Sequence, residues 1–515
     1  MKTRTTASPA SLNITRLASL ATGSGPGLEV TRPTDGQPLG VVPQTAGGEV
    51  EAAVGRARAV QKQWAARPPR ERAVVARRFA RSILDRRDEI LDLIQAETGK
   101  SRLAALEEVI DASMMSSHYA HAAPRALRPR RHVGAFPVFT QTTELRQPKG
   151  VVGVITPWNY PFTLVASDSV PALLAGNAVV VKPDLQTPFT ALLVLGLLLE
   201  AGLPPGLMQV VVGPGPVLGP QLIGSVDFVM FTGSTATGRL IAQQCAARLI
   251  GFSAELGDKG ALIVLEDADI RAAAVGAVRA CFANAGQLCV GPERIYVHEN
   301  VRERFTRALL GEVEQLTLGA GTSWETAMGS LISPEQLSSV RAHLDDAVGK
   351  GARILAGGIP RPDLGPSFFA PTVLTDVPDD AKLAREETFG PIVALYPVAS
   401  AEEAIARAND SEFGLNASVW TTPSRGRALA ARIEAGTVNV NEGYSAAWAS
   451  HGSPMGGWKE SGLGRRHGAE GLLKYTEPQT VAVQRAIPVA PFAGMSNETF
   501  ANFFTRATRI LNHFR

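Results

Sequence analysis

From residue 151 onward, short apolar runs alternate with stretches of helical periodicity: VVGVITP, a helix from about Val165, VVVKP, a helix through Leu192 to Ala201, MQVVVG and FVMFTG. Apolar runs too short for helices, recurring between helical segments, describe strand, crossover and parallel strand. Repeated, they build a doubly wound parallel sheet with helices on both faces. Ligands of such sheets lie beyond the carboxyl ends of the strands. The residues to read for chemistry are therefore 156–161, Lys182, 213–219 and 232–238.

A second series, ALIVL, RIYVH, TVLTDV, IVALYPV, ASVW and TVNVN, runs between residues 261 and 441 with helical stretches at 401–409 and 424–435. It predicts a second α/β domain with its own sheet. Residues 48–123 read as successive helices on an outer sheet face, with Ile83, Ile90, Leu91 and Ile94 at helical spacing. Within them GKS, 99–101, invites a P-loop reading, but the glycine that motif requires is Ile94, so it is rejected. The alternating segments VFTQTTELRQ, 138–147, and TVAVQ, 480–484, predict a small β element.

A chain of 515 residues, 45% hydrophobic and 19% charged, has room for two or three domains. Its net charge of +3, without a Lys/Arg block, predicts no nucleic-acid partner. Three cysteines form no CxxC pair and eight histidines form no HxxxH or Cys/His cluster, which suits a reducing cytoplasm and no metal. The longest apolar run, 191–199, ends at Glu200, short of a membrane span. The first 28 residues lack Asp and Glu and read as a frayed tail rather than a targeting segment. At the other end Phe500, Phe503, Phe504, Ile510, Leu511 and Phe514 lie among basic residues. They predict an amphipathic helix for a membrane or a neighbouring subunit, with packing on the protein itself favoured.

Each candidate site residue has two readings. Cys289, in FANAGQLCVGPERIYV, falls in a loop between an Ala-rich helix, 270–285, and the strand at Arg294; it is a nucleophile or a packed thiol. Glu255, in AELGDKG, is a desolvated base or a salt-bridged surface carboxylate. Asn159, in TPWNYP, is an oxyanion donor or a turn residue. FTGSTATG, 231–238, holds a pyrophosphate at a helix N-terminus or is a tight βα turn. GPGPVLG, 213–219, lacks the GxGxxG spacing of a dinucleotide loop.

Together, TPWNYP, VVVKP, FTGST, AELG, NAGQLC, EETFGP and GGWKESGLGRRHG, in this order, resemble the NAD(P)-dependent aldehyde dehydrogenase superfamily over roughly residues 30–483. The resemblance implies a cofactor-binding domain in two parts, 20–127 and 150–257. It also implies an oligomerisation hairpin at 128–149 with its strand at 474–487, a catalytic domain at 258–455 and a C-terminal extension at 488–515. It further implies a cytoplasmic homodimer or homotetramer acting on a small-molecule aldehyde. Cys289 matches the nucleophile, and Asn159 with the Cys289 backbone N–H the oxyanion hole. Glu255 matches the base that activates water to hydrolyse the thioester, which speaks against a CoA-acylating relative. Lys182 matches a contact to the adenosine ribose, Ser234 to the pyrophosphate, and Glu387 to the nicotinamide ribose. Gly233 would permit close approach to the phosphates. Phe389 is expected on the nicotinamide side, and Trp158 beside the cofactor and the substrate tunnel.

Three departures bear on this expectation. Leu185 stands where NAD-preferring members carry Glu, so NADP is expected over NAD, with Asp184 next door as another carboxylate. Asp258 replaces a glycine beside Glu255 and is expected to raise the base's pKa or shift its loop, unless it faces the surface. The wording of PALLAGNAVVVKPD, ATGRLIA, GFSAELG and RRHGAEGLLKYTE resembles a bacterial branch of succinate-semialdehyde dehydrogenases. Yet Ser167 occupies about the place of the arginine many of them use for the substrate carboxylate, leaving Arg294 and Arg465 as substitutes. Succinate semialdehyde leads; a more apolar aldehyde, or a catalytically impaired cofactor-binding relative, is the alternative.

Overall fold

The computed structural model describes residues 12–135 and 139–513. Its first large sheet has six strands, in the order Gly462–Leu463, Gly251–Glu255, Phe228–Thr232, Val151–Ile155, Ala178–Lys182 and Met208–Val210. All pairings are parallel except that of Gly462–Leu463. Every residue of Val151–Ile155, Ala178–Lys182 and Phe228–Thr232 is buried. That explains continuous apolar runs in place of alternation: both faces are covered. The second sheet has seven strands, in the order Arg353–Ala356, Thr372–Thr375, Ile392–Val398, Pro292–His298, Gly260–Val264, Asn416–Trp420 and Thr437–Val440. It is parallel apart from the edge strand Arg353–Ala356, which the sequence reading missed along with Gly251–Glu255.

The expected helices between 48 and 123 are Glu49–Ala66, Pro69–Asp85, Arg87–Thr98 and Arg102–Ala126. The first is tied to its neighbours by Trp64, whose indole N–H donates to the Leu173 carbonyl at 2.7 Å, and by Gln61, which donates to Gly176 at 2.9 Å. The helix expected from Val165 begins earlier, at Pro161. Proline suits a first helical position, and the Glu108 carboxylate accepts the Phe162 and Thr163 N–H groups at 2.8 and 3.2 Å. This cap comes from a distant helix and leaves no local mark in the sequence. The helix expected over 270–285 ends at Phe282, because Asn284 and Ala285 turn left-handed with φ of 49° and 56°.

A three-stranded antiparallel sheet sets Thr140–Pro148 between Arg130–Val133 and Thr476–Gln484. Val138, at the start of the expected segment, lies outside the described residues. Residues 477–484 of the outer strand are exposed. The frayed-tail reading is corrected from residue 12 onward. Leu12 is buried, Ile14–Ala18 is helical, and Leu17 and Leu20 pack on the core of the six-stranded sheet. The C-terminal segment does form a helix, Asn497–Leu511. None of its described side chains is buried, and Phe503 and Ile510 stand exposed. Phe514 and the Leu511 side chain lie outside the described residues. No described helix is long and apolar enough to cross a membrane.

Candidate active site

Cys289 sits in a loop braced from several sides. Asn159 donates from Nδ2 to the Gln287 carbonyl at 3.1 Å, and Asn284 donates to the same carbonyl at 3.1 Å. Gln287 in turn accepts from the Ile332 N–H at 2.9 Å, and Asn416 donates to the Val290 carbonyl at 2.8 Å. The left-handed turn at Asn284 and Ala285 persists because these bonds over-determine it. As a residue Cys289 is partly exposed, unlike the buried Cys245 and Cys281. The Cys289 backbone N–H makes no hydrogen bond among the described residues. The Cys289 N–H is therefore an unengaged donor, and the Asn159 amide is anchored to the same loop two residues earlier, at Gln287.

Asn159 is held from beneath by a residue that the rejected P-loop motif contained. Gly99, at φ 71°, ends the helix Arg87–Thr98 and turns the chain inward. Lys100, fully buried, then donates to the Asn159 carbonyl at 2.6 Å and to Glu108 at 2.6 Å. Glu108 caps the helix that follows Asn159, so one ion pair fixes both sides of the TPWNYP turn. Burial outweighs the attraction at both partners, pushing Lys100 down and Glu108 up.

Glu255 closes the strand Gly251–Glu255 and is buried, with neither carboxylate oxygen bonded to the described protein. A Cβ at Gly456 would come within 3.1 Å of its Oε1. Burial pushes the carboxyl up to about 7; Arg466, Lys474 and Arg465 oppose that shift and Asp168 adds to it. Arg466 is itself held by Asp168 in a buried fork, Nε to Oδ1 at 3.1 Å and Nη2 to Oδ2 at 2.7 Å, with a third bond to Thr232 at 3.0 Å. Burial, then Glu255 and Glu387, push the Cys289 thiol up to about 12. The sequence reading missed Lys100, Asp168, Arg466 and Lys474. Arg466 stood inside a quoted motif, and Asp168 directly after Ser167.

The expectation for Asp258 is corrected. Its carboxylate is buried and accepts the Leu415 and Asn416 N–H groups at 3.2 and 3.0 Å, with the Ser461 hydroxyl at 3.4 Å. It clamps the strand Asn416–Trp420, facing neither solvent nor the Glu255 carboxylate. Its own N–H donates to Glu387 at 2.9 Å, and Gly257 leaves room for that side chain, since a Cβ there would lie 2.6 Å from Glu387 Oε2. Burial raises Glu387 to about 8.

Of the residues expected to face a cofactor, Trp158, Lys182, Gly233 and Ser234 follow or end strands of the six-stranded sheet, whereas Glu387 and Phe389 precede the strand Ile392–Val398 of the seven-stranded one. Lys182 ends the strand Ala178–Lys182, donates to the Pro183 carbonyl at 3.1 Å, and lies so near Gly215 that a Cβ there would be 3.9 Å from its Nζ. Ser234 caps the helix Thr235–Ala247, accepting from the Thr237 N–H at 3.4 Å. Gly233 is required for a nearer reason than phosphate approach: a Cβ would meet the Phe231 ring at 2.5 Å. Phe389, left-handed at φ 51°, packs edge-on against Trp158 with centroids 5.5 Å apart. Leu185 packs on the core, and Asp184 caps its own turn by accepting from Gln186 at 3.0 Å.

A cavity of ≈ 250 Å³ reaches the Cys289 loop at Leu288, walled by Leu106, Ile110, Met114, Tyr160, Leu288 and Trp448. Trp158 does not line it. Its ionisable walls are Glu107, Asp111 and His451. Glu107 accepts from Tyr160 at 3.2 Å and Tyr444 at 2.9 Å, and burial raises its pKa. Ser167 is buried elsewhere, and both suggested arginines are occupied. Arg294 donates to the Lys259 and Ala408 carbonyls, and Arg465 to Gly457 and Gly464.

Residues 21–481 match the model of the aldehyde dehydrogenase family. The chain is 50% identical over 506 residues to a Mycolicibacterium smegmatis protein named "Putative succinate-semialdehyde dehydrogenase" with NADP(+) as its stated cofactor, covering 97% of this chain and 98% of that one. It is 36% identical to the NADP(+) succinate-semialdehyde dehydrogenase of Escherichia coli, covering 89% of this chain and 94% of the relative. Among solved structures, an E. coli NADP-dependent enzyme superposes with a TM-score of 0.87 at 34% identity, over 92% of this chain and all of the other. With the family model matched over residues 21–481 and half the residues shared with a relative over nearly the whole chain, this protein belongs to the aldehyde dehydrogenase family.

Proposed function

We propose that the chain oxidises an aldehyde to a carboxylate through a covalent thioester on Cys289, with NADP as the hydride acceptor and succinate semialdehyde as the substrate. The observation that carries this reading is the Glu255 carboxylate, which is buried without a partner among the described residues, is raised to about 7, and lies close enough to act on the free Cys289 thiol. An orphaned buried carboxylate calls for a water or a substrate proton as its missing partner.

A dinucleotide fits the sheet's carboxyl edge. The helix Thr235–Ala247 offers its N-terminus, Lys182 supplies a cation, and Leu185 leaves no acid to repel a 2′-phosphate. Bound there, the nicotinamide supplies the acceptor for the hydride that turns a thiohemiacetal into a thioester. The protein's own residues do the remaining work. At rest the thiol holds its proton, and Glu255 accepts it as sulfur attacks the carbonyl carbon. The developing alkoxide receives hydrogen bonds from Asn159 Nδ2 and the Cys289 N–H, which Lys100 and Glu108 hold in place. Glu255, its proton passed to solvent, then deprotonates the water that cleaves the thioester and frees the acid. Lys182, Ser234, Gly233, Glu387, Phe389 and Trp158 are assigned to the cofactor side of this site.

A second reading, oxidation of a more apolar aldehyde, is favoured by the cavity: its wall carries Glu107 and Asp111 and neither Lys nor Arg. A buried substrate carboxylate needs a cationic or multiply donating partner. The exposed outer strand Thr476–Gln484 supports a homodimer or homotetramer, and three free cysteines support a cytoplasmic setting. The test is NAD(P)H formation with succinate semialdehyde, butyraldehyde and benzaldehyde, each with NADP and NAD, beside Cys289→Ala. Cys289-dependent turnover of succinate semialdehyde with NADP is expected. A preference for the uncharged aldehydes would transfer the assignment to the second reading, and silence with every aldehyde would refute both.

A further inference from the structure

The sequence shows no metal-ligand spacing, but the fold gathers two of the chain's eight histidines around one acid. Asp111 on the helix Arg102–Ala126, His451 in the turn after Ser445–Trp448, and His467 just before Gly468–Leu473 are all buried. Each presents one ligand-type atom within 4.8 Å of the other two. His451 Nε2 lies 2.9 Å from Asp111 Oδ1, while Asp111 Oδ2 accepts from the Thr163 hydroxyl. Such a pair alone is an ordinary buried hydrogen bond. His467 is what sets this cluster apart. The residue is 2% exposed, its Nδ1 has no hydrogen-bond partner among the described residues, and its ring stands edge-on to His451 with centroids 4.8 Å apart. A buried ring nitrogen without a partner is costly, and a bound ion removes that cost by using the lone pair.

We propose that Asp111, His451 and His467 form a binding site for a divalent transition-metal ion, of which Zn2+ is the representative. Two imidazoles and one carboxylate are the donor set that Zn2+ and its neighbours favour, with a fourth position open. Ligands about 2.1 Å from a tetrahedral Zn2+ stand about 3.4 Å apart, so closing the trio needs shifts on the order of 1 Å. The Thr163 hydroxyl orients the carboxylate as an outer partner. An open surface groove lined by His118, His121 and His451 gives an ion its way in, with His118 packed over Gly452 at the mouth. Asp111 and His451 also wall the cavity that Leu288 lines, so an ion here places positive charge on a wall that otherwise offers acids. The site does not depend on the substrate assignment.

The probe is Zn2+ itself, titrated by calorimetry into the full-length, chelator-treated protein. Cys289→Ala serves as the background, because the active-site thiol is the strongest competing ligand. One ion per chain is expected, with affinity falling at least about tenfold in His467→Gln and in His451→Gln. Unaltered affinity in both, or no saturable uptake, overturns the site. Where either variant fails to fold, Co2+ added to the unsubstituted ligand set decides. Intense visible d–d bands of a nitrogen-ligated tetrahedral ion support the proposal, and the spectrum of hydrated Co2+ refutes it.

Discussion

Asp168 and Arg466 form a buried ion pair beside the proposed base, and breaking it separates two effects that usually travel together. In Asp168→Asn, the Arg466 guanidinium, whose side chain is 7% exposed, loses its counter-charge and one of its two carboxylate bonds, keeping only neutral acceptors in the new amide oxygen and Thr232. Leaving one partner of such a pair unpaired costs about 3–5 kcal/mol, a large part of the roughly 5–15 kcal/mol by which domains are stable. The same substitution acts on Glu255 with a definite sign. Asp168 raises the Glu255 pKa and Arg466 lowers it, so removing Asp168 leaves Arg466 unopposed. The Glu255 carboxyl then falls from about 7 by roughly one unit. A base with a lower pKa is ionised at lower pH, so the acidic limb of the kcat–pH profile moves down by that amount while the protein melts earlier. Asp168→Asn with Arg466→Met removes both charges; stability recovers in part and the limb returns toward or above its original position. The assays are a thermal melt and steady-state turnover from pH 5 to 9. An acidic limb that stays fixed or rises in Asp168→Asn would refute the claim that this pair tunes Glu255.

Four further outcomes follow from the site. Glu255→Gln should slow both thioester formation, because the thiol loses its proton acceptor, and thioester hydrolysis, so that turnover falls with no fast burst of reduced cofactor before it; in the unsubstituted protein, deacylation should rise with pH through about 7 as Glu255 loses its proton. Asp258→Gly should leave two buried N–H groups, Leu415 and Asn416, without acceptors, each costing about 1–3 kcal/mol; chemical denaturation should show the loss and the acidic limb should not move, whereas faster deacylation would contradict the clamp role. Lys100→Met should destabilise by about 3–5 kcal/mol and lower kcat through Asn159, with Glu108→Gln as second substitution restoring much of the stability because the pair is then neutral. Leu185→Glu should reduce the NADP-to-NAD ratio of kcat/KM by about tenfold or more, as a carboxylate repels the 2′-phosphate; an unchanged ratio would locate cofactor choice elsewhere.

Much of the site was legible because its parts sit where an α/β chain must place them. Thr156 to Tyr160, Lys182 and 232–234 follow apolar runs, and a run of five buried residues ends at the sheet's carboxyl edge whatever the rest of the fold does. Glu255 was readable as a residue but not as the end of a strand, since GFSAE is only partly apolar. Asp258 was misread because its partners, Leu415 and Asn416, arrive from a strand far along the chain. GKS was rightly refused as a phosphate loop, and no local pattern could show that its lysine supports Asn159.

What the sequence determined by itself, then, was the order of strands and helices, their burial on both faces, and which motifs fall at the open edge. These follow from run length and side-chain periodicity, which are local properties of the chain. Only the tertiary structure decided the electrostatics. It brought Arg466 to Asp168, Lys100 to Asn159 and His451 and His467 to Asp111, and it buried Glu255 without a partner. Desolvation and pairing depend on everything packed within a few ångströms of a charge, and neighbours in space are not neighbours along the chain.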